Sequence, residues 1–319
     1  MNSPTNDSPG NASVQQVTVT EAEDGQRIDN FLSARLKGVP KSHIYKIVRS
    51  GEVRINKGRV KASSRVEEGD VVRIPPVRQR PVDESGGNVS DRVLQDLRRS
   101  VLFEDDALIV VNKASGMAVH GGSGVSLGLI EVARKLWPKE SKLELVHRLD
   151  RETSGCLILS RSRKALLSMQ SQLRDHQITK EYTAFCVGKW PSHMRVVDAP
   201  LIRNQLKSGE RMVKVSEEGK QAETRFRILQ HYKPGSLLKV GLISGRTHQI
   251  RVHTQLAGHP LAGDSKYGDA EANKAFKKLG LKRLFLHSSY LKFRHPLSNE
   301  WMEIEAPLPQ DLQGFLDVL

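Results

Sequence analysis

One stretch limits how this chain can fold more than any other. It is His147-Arg148-Leu149-Asp150-Arg151-Glu152-Thr153-Ser154-Gly155, and the apolar run Cys156-Leu157-Ile158-Leu159 follows it directly. The apolar run reads as a short buried strand. One carboxylate, Asp150, is therefore set between two arginines at the threshold of a buried element. A support that rigid suits a reacting group, because packing fixes its geometry. The plainer alternative is a surface turn in which Asp150 pairs with Arg148 or Arg151, an interaction worth little in water.

Charge narrows the partner. The chain has 319 residues, with Lys+Arg 50 against Asp+Glu 36, a net +14. That excess favours a polyanion over a neutral metabolite. No apolar run approaches the ~18 residues that suggest a membrane span, so nucleic acid is expected rather than a membrane. Aromatic residues make up only 5%, which argues against a broad base-stacking platform. The two cysteines, Cys156 and Cys186, each sit in an apolar strand-like run. They are expected to be buried free thiols in a reducing cytoplasm. The polar start of the chain has no apolar core and does not resemble a signal peptide.

The pattern predicts a disordered tail over 1–16, a small basic module over 17–78, a flexible linker over 79–98 and a large domain over 99–319. In the module, Ile28, Phe31, Leu32 and Leu36 predict a helix over 28–37, and Ser42 is a candidate cap for a second over 42–50. Lys41, Lys46 and Arg49 fall off its apolar stripe. Short strands are predicted at Val53–Asn56 and Val71–Ile74, with a turn at Lys57-Gly58. The module carries thirteen basic and eight acidic side chains. In the large domain, strand-like runs cover 107–111, 156–160, 182–187, 211–215, 224–228 and 237–243. Helices are predicted after Ser162 and over 247–256, with Thr247 as the second cap. Strands in series with irregularly placed helices predict an α+β fold around a mixed or antiparallel sheet.

Asn112-Lys113-Ala114-Ser115-Gly116, the nine residues from His147, Lys180-Glu181-Tyr182, Gly245-Arg246-Thr247-His248-Gln249-Ile250-Arg251 and Gly263-Asp264-Ser265-Lys266-Tyr267-Gly268 occur in this order. Together they resemble the RNA pseudouridine synthases, in the branch that carries a His-Arg-Leu-Asp motif. Arg27-Ile28-Asp29 and the Gly51–Asn56 segment likewise resemble an S4-type RNA-binding domain. The resemblance implies a catalytic domain with a mixed, mostly antiparallel sheet and a central cleft, preceded by the S4-like module. It implies cofactor-free conversion of specific uridines to pseudouridine in 23S ribosomal RNA, at more than one site, with another rRNA site or transfer RNA as the alternative substrate; a monomer without a metal is expected.

The resemblance also assigns roles. Asp150 is implied as the essential carboxylate, Arg246 as the positive group that keeps it ionised, and Tyr182 as the ring against the target base. Arg148 is implied as the wedge that fills the space of an extruded base, since a stacked base must leave its helix to react. Lys41, Lys46 and Arg49 are implied to grip RNA phosphates. Plainer readings stand beside these. Arg246 could cap a helix or bind phosphate, Arg148 could bind phosphate, and Tyr182 could be core. The three module cations could form an ordinary solvated face. His147 reads as a packing residue. Lys113 could touch RNA or support the Asp150 loop. Asp264 and Tyr267 read as ordering a turn. Gly121-Gly122-Ser123-Gly124 reads as a mobile loop at the site.

Two other function classes fit parts of the sequence. One is a non-catalytic RNA-binding or ribosome-assembly protein in which Asp150 is structural. The other is a hydrolase of the same glycosidic bond. Hydrolases of that kind commonly use two facing carboxylates, and Glu152 is the only other acid beside Asp150 in its block. No phosphate-loop string and no zinc-type Cys/His spacing occur; His248 and His253 are five apart, off the spacing of a helical metal pair.

Overall fold

A computed structural model describes residues 13–20, 23–36, 38–77, 89–121, 127–140, 142–205 and 211–319. The chain forms two compact units, Met1–Gly86 and Gly87–Leu319.

The first unit contains β1 (Gln15–Thr18), α1 (Ile28–Arg35), α2 (Lys41–Arg49), β2 (Arg54–Ile55), β3 (Gly58–Arg59) and β4 (Val71–Ile74). Its four strands run in the order β1-β4-β2-β3, every pair antiparallel. Ile28, Phe31 and Leu32 of α1 pack with Ile44, Ile47 and Val48 of α2 and with Val72 of β4. Burying those side chains supplies the drive for folding, each worth roughly 1.5–3 kcal/mol. Lys41, Lys46 and Arg49 remain exposed on α2, as the spacing predicts.

Three details of this unit differ from expectation. The tail predicted through residue 16 ends earlier, because Gln15 and Gln16 pair with Ile74 and Arg73 in the sheet. Ser42 does not cap α2; the helix starts at Lys41 after Pro40, whose fixed φ suits that boundary. The turn after β2 is Asn56-Lys57, both with positive φ. A two-residue turn of this kind matches the twist of the strands it joins.

The second unit opens with α3 (Asp91–Arg99), which lies in the segment expected as linker. Val93, Leu94 and Leu97 give it an apolar stripe that packs on the main core. There follow β5 (Val101–Glu104), β6 (Leu108–Lys113), α4 (Leu129–Leu136), β7 (Glu144–Leu145), β8 (Ser154–Ser160), α5 (Arg163–Arg174) and β9 (Thr179–Val187). Next come β10 (Val196–Asp198), β11 (Leu201–Gln205), β12 (Arg211–Val215), β13 (Glu223–Tyr232), β14 (Gly235–Leu242) and α6 (Gln249–Leu256). The chain finishes with α7 (Ala270–Lys278), β15 (Leu286–Arg294), β16 (Trp301–Glu305) and α8 (Gln310–Asp317).

Ten strands form one sheet in the order β10-β13-β14-β9-β15-β8-β6-β5, with β7 added to β8 and β16 to β15. Among the described pairs only β15 with β8 is parallel. The mixed, mostly antiparallel sheet is the one expected. All of β8 is buried. Leu157 and Leu159 point to one core and Cys156 and Ile158 to the other, the alternation of a strand covered on both faces. The first core takes α4. The second takes Ala165, Leu166 and Met169 of α5, a helix whose N-terminal N–H groups are capped by Ser162 as expected. Both cysteines are buried free thiols.

The parallel contact explains one glycine. Gly155 sits opposite Ser288 with φ +111°, and a Cβ there would come 2.2 Å from the Ser288 carbonyl oxygen. Only glycine fits both the conformation and the approach. Gly155→Ala should destabilise the protein by at least about 1–3 kcal/mol, the usual cost of such backbone strain. Urea unfolding would measure it, and an unchanged midpoint would contradict the crossing.

Candidate active site

Asp150 lies in the loop between β7 and β8. Leu149 turns inward and is buried, which leaves Asp150 half-buried on the cleft side. The loop is clamped by the segment after β6. Lys113 Nζ donates to the carbonyls of Ala114 (2.9 Å), Met117 (2.9 Å) and Arg151 (3.1 Å). The Gly116 N–H also donates to Arg151 O (2.8 Å), and Ser115 Oγ donates to Glu152 O (2.7 Å). Lys113 is only 1% exposed, so it supports the loop and does not touch RNA. Burial pulls its ammonium down to about 7, partly offset by the charge of Asp150. The loop expected at Gly121-Gly122-Ser123-Gly124 lies outside the described residues beyond Gly121.

Opposite Asp150 stands the start of α6. His248, just before the helix, adopts a left-handed conformation, φ 54°. Thr247 does not cap the helix; its hydroxyl accepts from Arg203 Nη2 at 2.8 Å. The buried Gln249 fastens this turn instead. Its Oε1 accepts from Ser244 Oγ (2.7 Å) and the Arg246 N–H (3.0 Å), while Nε2 donates to Glu223 O (2.9 Å).

The cation set against Asp150 is Arg251, not Arg246. Arg251 Nη1 lies 3.8 Å from Asp150 Oδ2, and its side chain is 3% exposed. Nε and Nη2 donate to the two oxygens of Asp264, each at 2.7 Å. Nη2 also lies 3.6 Å from Glu152 Oε2. Arg246 lines the same cleft but is exposed, and its Nε donates to Gln221 O at 3.3 Å. The reason is the helix. Arg251 sits inside its first turns and faces the core, whereas Arg246 precedes the left-handed turn and faces solvent.

Asp264 does more than order a turn. It accepts the Lys266 and Tyr267 N–H groups at 2.8 and 3.0 Å while it holds Arg251. Those bonds and Arg251 keep its carboxyl below the usual range against the opposing effect of burial. Tyr267 Oη accepts from the Val213 N–H (2.9 Å) and is hydrogen-bonded to His248 Nδ1 (2.8 Å). His248 Nε2 lies 3.9 Å from Asp150 Oδ2. Burial lowers the His248 pKa, against the opposing charge of Asp150. Both contacts to Asp150 exceed hydrogen-bond length. Among the described residues none hydrogen-bonds the Asp150 carboxylate oxygens.

Tyr182 projects from β9 into the same cleft, 7% exposed, and burial pushes its phenol up. It therefore acts as a neutral hydroxyl. Arg148 is exposed at the cleft wall. The cleft is lined by Arg148, Asp150, Tyr182, Arg246, His248 and Arg251. Asp150, Tyr182, Arg148 and Arg246 are thus brought together. Lys41, Lys46 and Arg49 belong to the other unit. His147 packs beneath the loop, where Nε2 accepts the Ile158 N–H at 3.2 Å. Sequence reasoning missed Arg251 and His248. A helical reading of 247–256 sets positions 248 and 251 on one face, which was the available signal. His253 is structural: it bonds Thr224 and Ala199 O at 2.8 and 3.0 Å.

Comparisons with known proteins point to one family. A family model described as RNA pseudouridylate synthase matches residues 107–256, and one described as S4 domain matches residues 26–72. The chain is 50% identical over 309 residues to ribosomal large subunit pseudouridine synthase C of Pasteurella multocida, covering 97% of this chain and 95% of that one. It is 51% identical over 309 residues to the protein of that name from Escherichia coli, covering 96% and 97%. Among solved structures, human RNA pseudouridylate synthase domain containing 4 superposes with a TM-score of 0.58 at 28% identity, over 71% of this chain and 95% of that one.

Behind the site, His287 carries a consequence for stability. It is fully buried, bonded to Ser154 Oγ at 2.9 Å and to Ala306 O at 3.2 Å, and burial pulls its imidazole down to about 4. A lowered histidine pKa means that the unfolded chain binds the proton first. Its contribution is complete above about 6.5 and is lost as pH falls toward 4, on the order of 3 kcal/mol. Denaturant unfolding of His287→Gln should show a flatter decline than wild type across that window. Parallel declines would remove this assignment.

Proposed function

The chain belongs to the RNA pseudouridylate synthase family, and from that premise we propose that it isomerises uridines of 23S ribosomal RNA at the cleft around Asp150. The relatives' printed names support ribosomal large subunit RNA as the substrate. The single observation that carries the reading is one free carboxylate, flanked by a buried guanidinium, facing the same cleft as a buried tyrosine.

The reaction breaks the N1–C1′ bond, turns the uracil and joins C5 to C1′, after which the C5 proton leaves. Nothing is oxidised and no group is imported. Attack at C1′, addition at C6 and removal of the C2′ proton each require an ionised carboxylate, and Asp150 beside Arg251 provides it. Tyr182 stacks on the uracil, and its neutral hydroxyl passes a proton at C5. Arg148 fills the space that the base vacates, which lowers the few kcal/mol that flipping costs. Arg246, exposed beside the cleft, binds RNA phosphate. The amino-terminal S4 module grips RNA through Lys41, Lys46 and Arg49, so binding falls steeply with salt. The protein acts as a monomer on more than one uridine and works in the cytoplasm; among the described residues no helix is long and apolar enough to cross a membrane.

A purely RNA-binding role would not need Arg251 to be held so exactingly. A two-carboxylate hydrolase would use Glu152, whose Oε2 lies 3.6 Å from Arg251 Nη2, and would release free uracil. Asp150→Asn should abolish pseudouridine formation on 23S rRNA while keeping RNA affinity within several-fold. Chemical mapping of pseudouridines, with a check for released uracil, reads the outcome. Turnover near wild type in that variant, or free uracil from the native protein, would reject the reading. Arg251→Lys should lower kcat by about 10²-fold, because lysine cannot bind Asp264 bidentately and still face Asp150. Arg246→Lys should mainly raise KM. The reverse ranking would return the charged-partner role to Arg246.

A further inference from the structure

Lys180 stands two residues before Tyr182 on β9, so strand alternation puts both side chains on the cleft face. It lines the groove that continues from Asp150 past Arg148, Arg174, Arg203 and Arg246. Among the described residues Asp150 is the only carboxylate in that lining. A Cβ on Gly245 would lie 3.8 Å from Lys180 Nζ, which sets the ammonium against the turn that presents Arg246.

Other sheltered cations around the cleft sheet have partners. Lys113 has three carbonyls, Arg251 has Asp264, and Lys239 has Glu181 at 2.6 Å. Among the described residues none provides a hydrogen bond or ion pair to Lys180 Nζ. The lysine is partly buried, and that burial lowers its pKa. A sheltered charge without a counter-charge is costly to maintain. An arrangement of that kind is stabilised when an anionic ligand enters the groove.

We propose that Lys180 binds a phosphate that flanks the extruded uridine, and so registers the ribose over Asp150. This rests on the reading that the cleft accepts a uridine nucleotide. Tyr182 takes the base, and Lys180, two residues back on the same strand face, takes the backbone beside it. The rigid strand sets the spacing between the two contacts. Lysine suits a phosphate as a point charge on a flexible stem.

The test uses the full chain and an RNA fragment containing a uridine that the wild type modifies. Lys180→Met should raise KM by about tenfold or more and reduce the slope of log affinity against log salt by about 1. Lys180→Arg should restore most of the affinity and the slope. Lys239→Met, which removes a charge paired elsewhere, should leave the slope as in wild type. Replacing each phosphate beside the target uridine by a neutral methylphosphonate should weaken wild type at one position, with no further loss in Lys180→Met. Wild-type binding that tolerates both replacements would overturn the proposal whether or not the variant folds. So would a wild-type KM and slope in Lys180→Met, or losses that add. A pH–rate profile that shifts in Lys180→Met with KM unchanged would assign it to proton transfer instead. Should wild type form no pseudouridine at all, the reading of the cleft fails and not merely this contact.

Discussion

The site depends on one guanidinium set between Asp264 and Asp150, with Glu152 beside it. Asp264 holds Arg251 by two parallel bonds of 2.7 Å and is itself completely buried. That geometry leaves Nη1 as the atom facing Asp150, at 3.8 Å. A buried pair of this kind adds little net stability, because desolvation offsets the attraction. Its use is directional. The strong contact fixes where the weak one points, so Asp150 meets a fixed charge without being consumed by a tight hydrogen bond. Removing Asp264 would leave a buried, uncompensated cation, which is the more damaging loss.

The surrounding structure exists to bring those two acids to one arginine. The turn carrying Asp264 is closed by its own carboxylate, which accepts two backbone N–H groups. The helix carrying Arg251 is anchored by Gln249, whose amide ties the preceding turn to β13. The loop carrying Asp150 is anchored by Lys113, whose ammonium replaces water with three carbonyls. Each anchor is a buried polar side chain with its bonds satisfied, the condition under which such groups rigidify a core rather than weaken it.

Parts of this arrangement could be read from residues alone. Asp150 was singled out by the resemblance of its block, and the apolar run after it was legible as a buried strand. Tyr182 was legible through its block, and Ser162 through its position before a helical stripe. Arg251 was not, because choosing between it and Arg246 requires knowing that His248 turns left-handed. No local pattern announces that for a histidine. Lys113 stayed ambiguous because a lysine is seldom buried, and only the fold reveals carbonyls converging on it. The helix at Asp91–Arg99 escaped notice because its three apolar residues are too few to stand out beside the polar stretch before it.

The contact between β8 and β15 has a consequence in time. Its partners, Gly155 and Ser288, are far apart along the chain, and Arg251 and Asp264 also come late. Contacts of long sequence separation form slowly, and a nascent chain cannot form them until both ends have left the ribosome. The segment carrying Asp150 is therefore translated, together with the earlier Lys113 that clamps it, well before the Arg251 and Asp264 that complete the site. Activity must switch on near the end of synthesis, as a single event rather than by degrees.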